Sequence, residues 1–382
     1  MSEARPLQRL AELGQSVWID YLSRDLLRSG ELERLIREDA VVGVTSNPTI
    51  FEKAIAHGDA YDGQLQELLP RQSDPKEVFL ELACADVAAA CDVFRPVWEQ
   101  TGRRDGYVSI EVDPNLAYDT HAQYEEAKRL HEAIERANLL VKIPATKPGV
   151  AAIEDSIAAG RSINVTLVFS IERYVAVARA YLDGLTRFRA DGGDVSTLHS
   201  VASFFVSRVD TETDRRLDAL GAPAELRGQL GIANARLAYE RYRELFSPDD
   251  QRWAELSAAG AHPQRCLWAS TSTKNPAYRD VLYVEELIGP ETVHTLPEAT
   301  LEAFQDHGRV APTLEHGLED ARRLLEGLAA VGVDYDDVVE TLETEAIEKF
   351  TDSFSELLGG LQAKRQTLEA ATVAVTVGNA AP

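Results

Sequence analysis

Short apolar runs rich in valine and isoleucine alternate along this 382-residue chain with longer segments of helical periodicity. Strands that are apolar along their whole length and alternate with helices are typical of a parallel sheet buried on both faces. Eight such runs predict a closed (β/α)8 barrel, an α/β fold of the TIM-barrel type with extra helices. A doubly wound open sheet is the alternative, although no glycine-rich phosphate loop follows the first strand. The predicted strands are Val17–Leu22, Val41–Ser46, Tyr107–Val112, Leu139–Pro144, Ile163–Phe169, His199–Val206, Cys266–Ser270 and Thr292–Leu296.

Two segments exceed the needs of a minimal barrel. Residues 48–104 predict a helical insertion between the second and third strands, and residues 334–363 predict a long amphipathic helix that packs across one barrel end. We therefore expect one barrel domain over residues 1–364, followed by a flexible tail over residues 365–382. The alternating run Val373–Val377 leaves an edge strand as an alternative for part of that tail.

The charge of the chain restricts its partners. The formal net charge is −24, from 63 acidic and 39 basic side chains, which argues against nucleic acid or an anionic membrane as a partner. No stretch approaches the ~18 apolar residues that span a bilayer, and the N-terminus does not resemble a signal peptide. The eight histidines and three cysteines show no metal-ligand spacing. We expect a cytoplasmic protein without a metal, either a monomer or a homodimer.

Lys142 lies inside a predicted strand that is otherwise apolar, Leu139–Pro144. A buried ammonium without a partner is costly, so burial favours the neutral amine. A neutral amine at the end of a barrel strand is a nucleophile for a carbonyl carbon. The alternative is a structural lysine at a strand end, with its ammonium reaching solvent.

Polar residues mark the ends of the first seven predicted strands. Barrel enzymes carry their reactive groups at these C-terminal strand ends. Because side chains alternate along a strand, Ser109 and Glu111 share one face of the third strand, and Asn164 and Thr166 share one face of the fifth. If these faces point inward, the four side chains meet near Lys142 at one level of the barrel.

Together these side chains suit a lysine that forms an imine with a sugar. Glu111 can move protons during imine formation, and Asp20 can take the proton of a hydroxyl when a carbon–carbon bond breaks. Arg208 and Lys274 suit a phosphate group. The neutral groups that suit the hydroxyls of a polyol are Asn47, Asn164, Thr166 and Ser203.

Each of these residues also has a purely structural interpretation, which the sequence leaves open. The alternatives are an ion pair between Glu111 and Lys142, a bond between Asn164 and Thr166, an ion pair between Arg208 and Asp210, a turn at Asn47 and, for Asp20, a helix cap or a surface acid in the first βα loop.

Several runs closely resemble segments of a known family, the transaldolases. Gly43–Thr49 resembles the signature around the family's active-site asparagine, and Val141–Thr146 resembles the signature around its Schiff-base lysine. Ser109–Asp113 and Ile163–Ser170 look like its third and fifth strand segments. The resemblance covers residues 14–308 in order.

That resemblance implies a circularly permuted member of the class I aldolase barrels and a reaction without a dissociable cofactor. Lys142 would form a Schiff base with a ketose phosphate such as sedoheptulose 7-phosphate or fructose 6-phosphate. Glu111 would act through a water positioned by Thr166, and Asp20 would take the C4 hydroxyl proton. A dihydroxyacetone unit would then pass to an aldose phosphate such as glyceraldehyde 3-phosphate or erythrose 4-phosphate.

The resemblance also implies a set of substrate-binding residues. Many relatives have arginine where Lys274 stands, and a lysine offers a point charge in place of a bidentate fork. The run Ser272–Pro276 looks like the longer bacterial subgroup. The implied substrate-binding residues are Asn47, Asn164, Ser203, Phe205, Arg208, Ser272 and Lys274.

Two other functions stay open. A fructose 6-phosphate aldolase would release free dihydroxyacetone, although the related aldolases are much shorter chains. A barrel that only binds or isomerises sugar phosphates would use Lys142 as an electrostatic group.

Overall fold

The structure, a computed structural model, describes residues 5–46 and 48–378. Within these residues eight parallel strands pair in chain order, and β1 also pairs with β8, so the barrel is closed. The predicted (β/α)8 barrel is confirmed, and the open doubly wound sheet is excluded. The strands are β1 (Gln15–Ile19), β2 (Val41–Thr45), β3 (Tyr107–Glu111), β4 (Leu139–Pro144), β5 (Ile163–Val168), β6 (Ser200–Phe205), β7 (Arg265–Ala269) and β8 (Thr292–Leu296).

All eight predicted apolar runs form strands, because each strand is buried on both faces. One face packs against the surrounding helices and the other fills the barrel interior, which explains the near-continuous apolar sequence. The first strand lies nearer the N-terminus than its predicted range, so Asp20 directly follows β1.

Helices alternate with the strands and surround the barrel. The junctions after β4 and β5 are short because Thr146 and Ser170 cap the following helices, through bonds from Gly149 N (3.0 Å) and Arg173 N (3.0 Å). The helices are α1 (Pro6–Glu12), α2 (Arg24–Arg28), α3 (Glu31–Asp39), α4 (Pro48–His57), α5 (Asp62–Leu68), α6 (Pro75–Gln100), α7 (Thr120–Ile134), α8 (Lys147–Ala158), α9 (Ile171–Ala190), α10 (Ser207–Leu220), α11 (Leu230–Leu245), α12 (Gln251–Ala258), α13 (Leu282–Glu286), α14 (Glu298–His307), α15 (Leu318–Ala330) and α16 (Tyr335–Gly378).

The helical periodicity of residues 223–245 predicts one continuous helix. Instead the chain forms a 3-10 turn over Ala224–Leu226 and begins α11 at Leu230. Gly228 separates the two with a φ of +68°, and a Cβ there would lie 2.7 Å from the ring of Tyr278. This backbone conformation interrupts the helix.

The C-terminal helix α16 crosses the barrel end and contacts α4 and α10. The sequence pattern predicts its end near Ala363, but the helix continues to Gly378. Val373–Val377 is therefore helical, and the alternative of an edge strand is wrong. The flexibility of residues 365–382 stays a prediction, and residues 379–382 lie outside the described ranges.

Buried polar side chains close the N-terminal end of the barrel. Arg265 Nη2 lies 2.9 Å from Asp105 Oδ1, and Arg265 Nη1 donates to Ser16 Oγ at 2.8 Å. Trp18 fills the interior above them, in space that exists because Gly43 has no side chain; a Cβ there would lie 2.5 Å from the indole. The barrel is thus filled at this end, and open space is found at the opposite one.

No helix within residues 5–46 and 48–378 combines the length and the apolar character needed to cross a membrane.

Candidate active site

A cavity of about 410 Å³ lies at the C-terminal ends of the strands, below α16. It is lined by residues from several strands, as expected for a barrel enzyme. Asn47, one of the predicted residues, lies outside the described residues. The predicted residues that line the cavity are Asp20, Lys142, Thr166, Ser203, Phe205, Arg208, Ser272 and Lys274.

Lys142 projects from the middle of the barrel wall toward this cavity. The register places it beside Glu111 on β3 and Asn164 on β5. Its side chain is almost buried, and Nζ lies 3.0 Å from Glu111 Oε1. Burial raises the pKa of Glu111, and the neighbouring Lys142 opposes this rise. The ion pair left open by the sequence is therefore formed.

A smaller cavity of about 10 Å³ adjoins the main one behind Glu111. Glu111 and Thr166 both line it, together with Phe350 from α16. Glu111 Oε2 and Thr166 Oγ1 are buried and have no hydrogen-bond partner within the described part of the chain. Two such oxygens around a space of this size suit one water molecule.

Asn164 is held by two hydroxyl groups rather than by Thr166. Its Nδ2 donates to Ser109 Oγ at 3.0 Å, and its Oδ1 accepts from Ser203 Oγ at 2.8 Å. The alternative of a bond between Asn164 and Thr166 is wrong. Ser203 lines the cavity, whereas Asn164 is fully buried next to Lys142.

Asp20 reaches the cavity from the end of β1, where its backbone N–H donates to Leu296 O at 3.1 Å. Burial raises the pKa of Asp20 to about 6, and the charges of Lys142 and Lys274 oppose a larger rise. The alternative of a helix cap is wrong, because Ser23 caps α2 by accepting from Leu26 N at 3.2 Å.

Arg208 and Lys274 place positive charge at the cavity wall. The Arg208 guanidinium lies 5.5 Å from the centre of the Phe205 ring. Burial lowers the pKa of Arg208, and the negative charge of Glu345 partly offsets this by raising it. Lys274 Nζ donates to Ser272 Oγ at 2.7 Å. Burial is the main cause that lowers the pKa of Lys274, and the positive charge of Arg208 lowers it further.

The predicted alternative of an ion pair between Arg208 and Asp210 is wrong. Asp210 accepts instead from Gly231 N at 2.7 Å and from Tyr283 Oη at 2.8 Å. Within residues 5–46 and 48–378, Arg208 forms no ion pair. Its guanidinium is therefore available to an anion in the cavity.

Sequence reasoning missed the contribution of α16. Lys349, Phe350 and Ser353 line the cavity, and Lys349 Nζ lies 3.0 Å from Glu345 Oε2. Lys349 and Ser353 are four residues apart, so they lie on one face of the helix. This spacing indicates a role at the cavity only once that face is known to cover the barrel. Strand-end hydroxyls that were not singled out also line the cavity: Thr45, Ser46, Ser270 and Thr295.

A larger groove of about 600 Å³ lies on the outer surface along α11. Its arginines are engaged by carboxylates, as in the pair of Arg243 and Glu315 at 2.9 Å. Among the residues that the structure describes, no group of three or more histidine, cysteine, aspartate or glutamate side chains could hold a metal ion. The cavity at the strand ends is the better candidate for chemistry, because Lys142, Asp20 and Arg208 line it.

A closed (β/α)8 barrel with a lysine, two carboxyl groups and a cationic wall at its C-terminal end defines an enzyme of the barrel class. The profile of the Transaldolase/Fructose-6-phosphate aldolase family matches residues 17–361. The chain belongs to this family.

Curated relatives align over almost the whole chain. A transaldolase of Frankia alni is 52% identical over 359 residues, which cover 93% of this chain and 96% of the relative. Transaldolase 2 of Streptomyces avermitilis is 51% identical over 365 residues, 95% of this chain and 98% of the relative. A transaldolase of Thermobifida fusca is 52% identical over 356 residues, 92% and 96% of the two chains.

Proposed function

We propose that this chain is a transaldolase that transfers a dihydroxyacetone unit between sugar phosphates through a Schiff base on Lys142. The observation that carries the proposal is the buried Lys142, 3.0 Å from Glu111, at a cavity that also contains Asp20 and two cationic side chains. The names of the relatives, which span the same length, support the transferase reaction.

The first step is attack of Lys142 Nζ on the C2 ketone of a ketose phosphate such as sedoheptulose 7-phosphate or fructose 6-phosphate. The carbinolamine must then lose its hydroxyl as water to become an iminium. Glu111 supplies the proton for this loss, through a water held between Glu111 Oε2 and Thr166 Oγ1. The raised pKa of Glu111 suits a group that donates and recovers a proton.

The second step breaks the C3–C4 bond. Asp20 takes the C4 hydroxyl proton, the electrons of the bond move to the iminium, and an aldose phosphate leaves. A pKa of about 6 makes Asp20 mostly ionised at neutral pH yet able to return the proton to the next aldehyde. The remaining three-carbon enamine on Lys142 then attacks the aldehyde of an acceptor such as erythrose 4-phosphate or glyceraldehyde 3-phosphate.

The cavity wall provides groups for the rest of the substrate. Ser203, oriented by Asn164, suits a hydroxyl of the bound three-carbon unit, and Asn47 has the same proposed role. Arg208 and Lys274 suit the phosphate of the departing or incoming aldose, with Ser272 beside Lys274 and Phe205 beneath Arg208.

We further propose that the reaction takes place in the cytoplasm without nucleic acid, membrane or dissociable cofactor. The net charge of −24 opposes binding to a polyanion. A monomer or a homodimer is the proposed assembly.

A trapping and transfer assay tests the proposed function. With fructose 6-phosphate and borohydride, we expect a reduced three-carbon adduct on the peptide that contains Lys142. With fructose 6-phosphate and erythrose 4-phosphate, we expect sedoheptulose 7-phosphate to form much faster than free dihydroxyacetone. Faster release of dihydroxyacetone would favour the aldolase, and the absence of any adduct would favour non-covalent binding or isomerisation.

The phosphate role of Arg208 has its own prediction. Replacing Arg208 with alanine removes a charge-assisted contact, so we expect KM for fructose 6-phosphate to rise roughly 10–100-fold. Steady-state kinetics with unphosphorylated fructose should show little change between wild type and variant. Arg215→Ala is the matched control, because Arg215 is an exposed arginine on the same helix, paired with Glu212. An equal loss with both donors would contradict the phosphate role.

A further inference from the structure

Strand β5 departs from regular pairing at the active site. The β5–β6 register shifts between Val165 and Val168, so that two residues, Thr166 and Leu167, oppose the single residue Ser203. This is a β-bulge, a feature that bends a strand and redirects its side chains.

The bulge changes which side chains face the site. In a regular strand Leu167 would point outward, as Val165 does. Instead Leu167 lines the small cavity beside Glu111, as Thr166 does, while Val165 and Val168 belong to the apolar cluster between the strands and the surrounding helices. Two consecutive residues, Thr166 and Leu167, therefore face the barrel interior.

The backbone of Leu167 has an uncommon conformation. Its φ is +58°, in the left-handed region that glycine adopts freely and other residues rarely do. Such strain persists only where the surrounding structure determines it, and it concentrates at functional sites. A leucine, unbranched at Cβ, is less disfavoured there than isoleucine or valine.

Thr166 directly precedes Leu167, and its side chain lines the main cavity. Its hydroxyl has no hydrogen-bond partner within the described ranges that could orient it. Its carbonyl accepts from Ala145 N at 2.8 Å, which ties Thr166 to the end of β4 near Lys142. That carbonyl belongs to the peptide group that joins Thr166 to Leu167, so the backbone of Leu167 sets the path of the chain directly after it. Thr166 lines both the main cavity and the smaller cavity behind Glu111, so its hydroxyl lies where the two cavities meet.

We propose that Leu167 is a positioning residue, whose left-handed backbone holds the Thr166 hydroxyl at the place where it orients the water used by Glu111. The proposal rests on the proposed Schiff-base function. It gives a reason for the strained bulge, since a regular strand would turn Leu167 away from the site and alter the path of the chain at Thr166.

Two substitutions of similar volume separate the backbone from the packing. Leu167→Met conserves volume and leaves Cβ unbranched, so it is expected to retain kcat within about threefold. Leu167→Ile is β-branched and opposes a positive φ. Because a small misplacement in a catalytic site can cost on the order of 10²-fold, we expect Leu167→Ile to lower kcat roughly 10–100-fold, with KM within about twofold. Single-turnover borohydride trapping on Lys142 should slow by the same factor.

A double-mutant cycle with Thr166→Val tests whether Leu167 acts through Thr166. In the Leu167→Met background, Thr166→Val should lower the trapping rate as much as it does in the wild type. In the Leu167→Ile background it should cost little more, because the hydroxyl is already displaced. A full loss from Thr166→Val in both backgrounds would overturn the proposal, as would equal rates for the isoleucine and methionine variants.

A second pair covers the case in which Leu167→Ile does not fold. Leu167→Gly and Leu167→Ala both remove the packing of the side chain, but only glycine adopts the left-handed conformation freely. We expect the glycine variant to trap at least about tenfold faster than the alanine variant, because it keeps the bulge. Equal rates would overturn the proposal.

Crystal structures separate failure of this inference from failure of the proposed function. If the wild type forms no adduct on Lys142, the Schiff-base function is wrong. The positioning role is then judged from the position of Thr166 Oγ1, which should move in the isoleucine or alanine variant and stay in the methionine or glycine variant. An unmoved hydroxyl in all variants would overturn it.

Discussion

Replacing Lys142 with methionine is expected to lower kcat by a factor on the order of 10⁴–10⁶, the range seen when an enzyme loses its nucleophile. Methionine keeps most of the side-chain volume but cannot form an imine. Substrate binding should persist, because Arg208 and Lys274 remain at the cavity wall. The measurements are steady-state transfer from fructose 6-phosphate to erythrose 4-phosphate, and binding of fructose 6-phosphate by calorimetry.

The effect of this substitution on folding must be measured alongside the activity. Removing one partner of a buried ion pair destabilises a protein when it leaves a charge unpaired. Here the raised pKa of Glu111 allows its carboxyl group to become neutral, which limits the loss. Thermal unfolding and circular dichroism should therefore show a folded variant. Lys147→Ala is the matched control, since Lys147 is an exposed lysine shortly after β4. Substantial turnover by folded Lys142→Met would remove Lys142 from the mechanism.

Replacing Asp20 with asparagine is expected to change activity and stability in opposite directions. Asparagine has nearly the same shape but cannot accept the C4 hydroxyl proton, so kcat should fall roughly 10²–10⁴-fold. The unfolding free energy at pH 7 should rise by about 2–3 kcal/mol, because the wild type must bury an ionised carboxylate whose pKa in the fold is about 6.

The pH dependence of that stability gain has a definite sign. The pKa of Asp20 is raised from 3.8 to about 6 in the fold, so the folded state binds this proton more tightly than the unfolded state. The contribution of Asp20 to wild-type stability is complete below about pH 4, falls as the pH rises toward 6 and is lost above it. Denaturant unfolding should thus show little difference between variant and wild type near pH 4 and the full difference above pH 6.

Kinetics over the same pH range provide a second measurement. Wild-type kcat/KM should fall as the pH drops below about 6, since Asp20 must be ionised to act as a base in cleavage. The Asp20→Asn variant should lack this acid limb in its residual activity. Asp25→Asn is the matched control, because Asp25 is an exposed aspartate close by in the chain. An unchanged acid limb in Asp20→Asn would assign that ionisation to another group.

Features that depend on side-chain alternation within one strand could be read from the sequence. The barrel follows from eight runs buried on both faces, and the placement of Glu111 beside Lys142 follows from period-two spacing in neighbouring strands. A hydrogen bond between Asn164 and Thr166 was the structural alternative for these two residues, and it is wrong because of where the partners of Asn164 lie. Residues on one face of a strand lie side by side along it, whereas the partners of Asn164 come from the adjacent strands β3 and β6.

Features that depend on tertiary packing or on one backbone angle could not be read in this way. Nothing in the composition of β5 marks the bulge, because its left-handed residue is Leu167 and not a glycine. Lys349 and Phe350 reach the cavity only because α16 crosses the barrel end, and that crossing depends on contacts with α4 and α10, which are distant in the chain. The buried pair of Arg265 and Asp105 likewise joins segments far apart in sequence.

The position of α16 in the chain has a consequence for the order in which the molecule becomes active. All eight strands precede α16, so a growing chain emerges from the ribosome with its barrel residues first. Phe350 and Ser353, which line the cavity from α16, emerge after every strand of the barrel. A nascent barrel that has already folded would expose Lys142 to metabolites without this cover. Emergence of α16, rather than closure of the barrel, is thus the event that yields a sheltered amine.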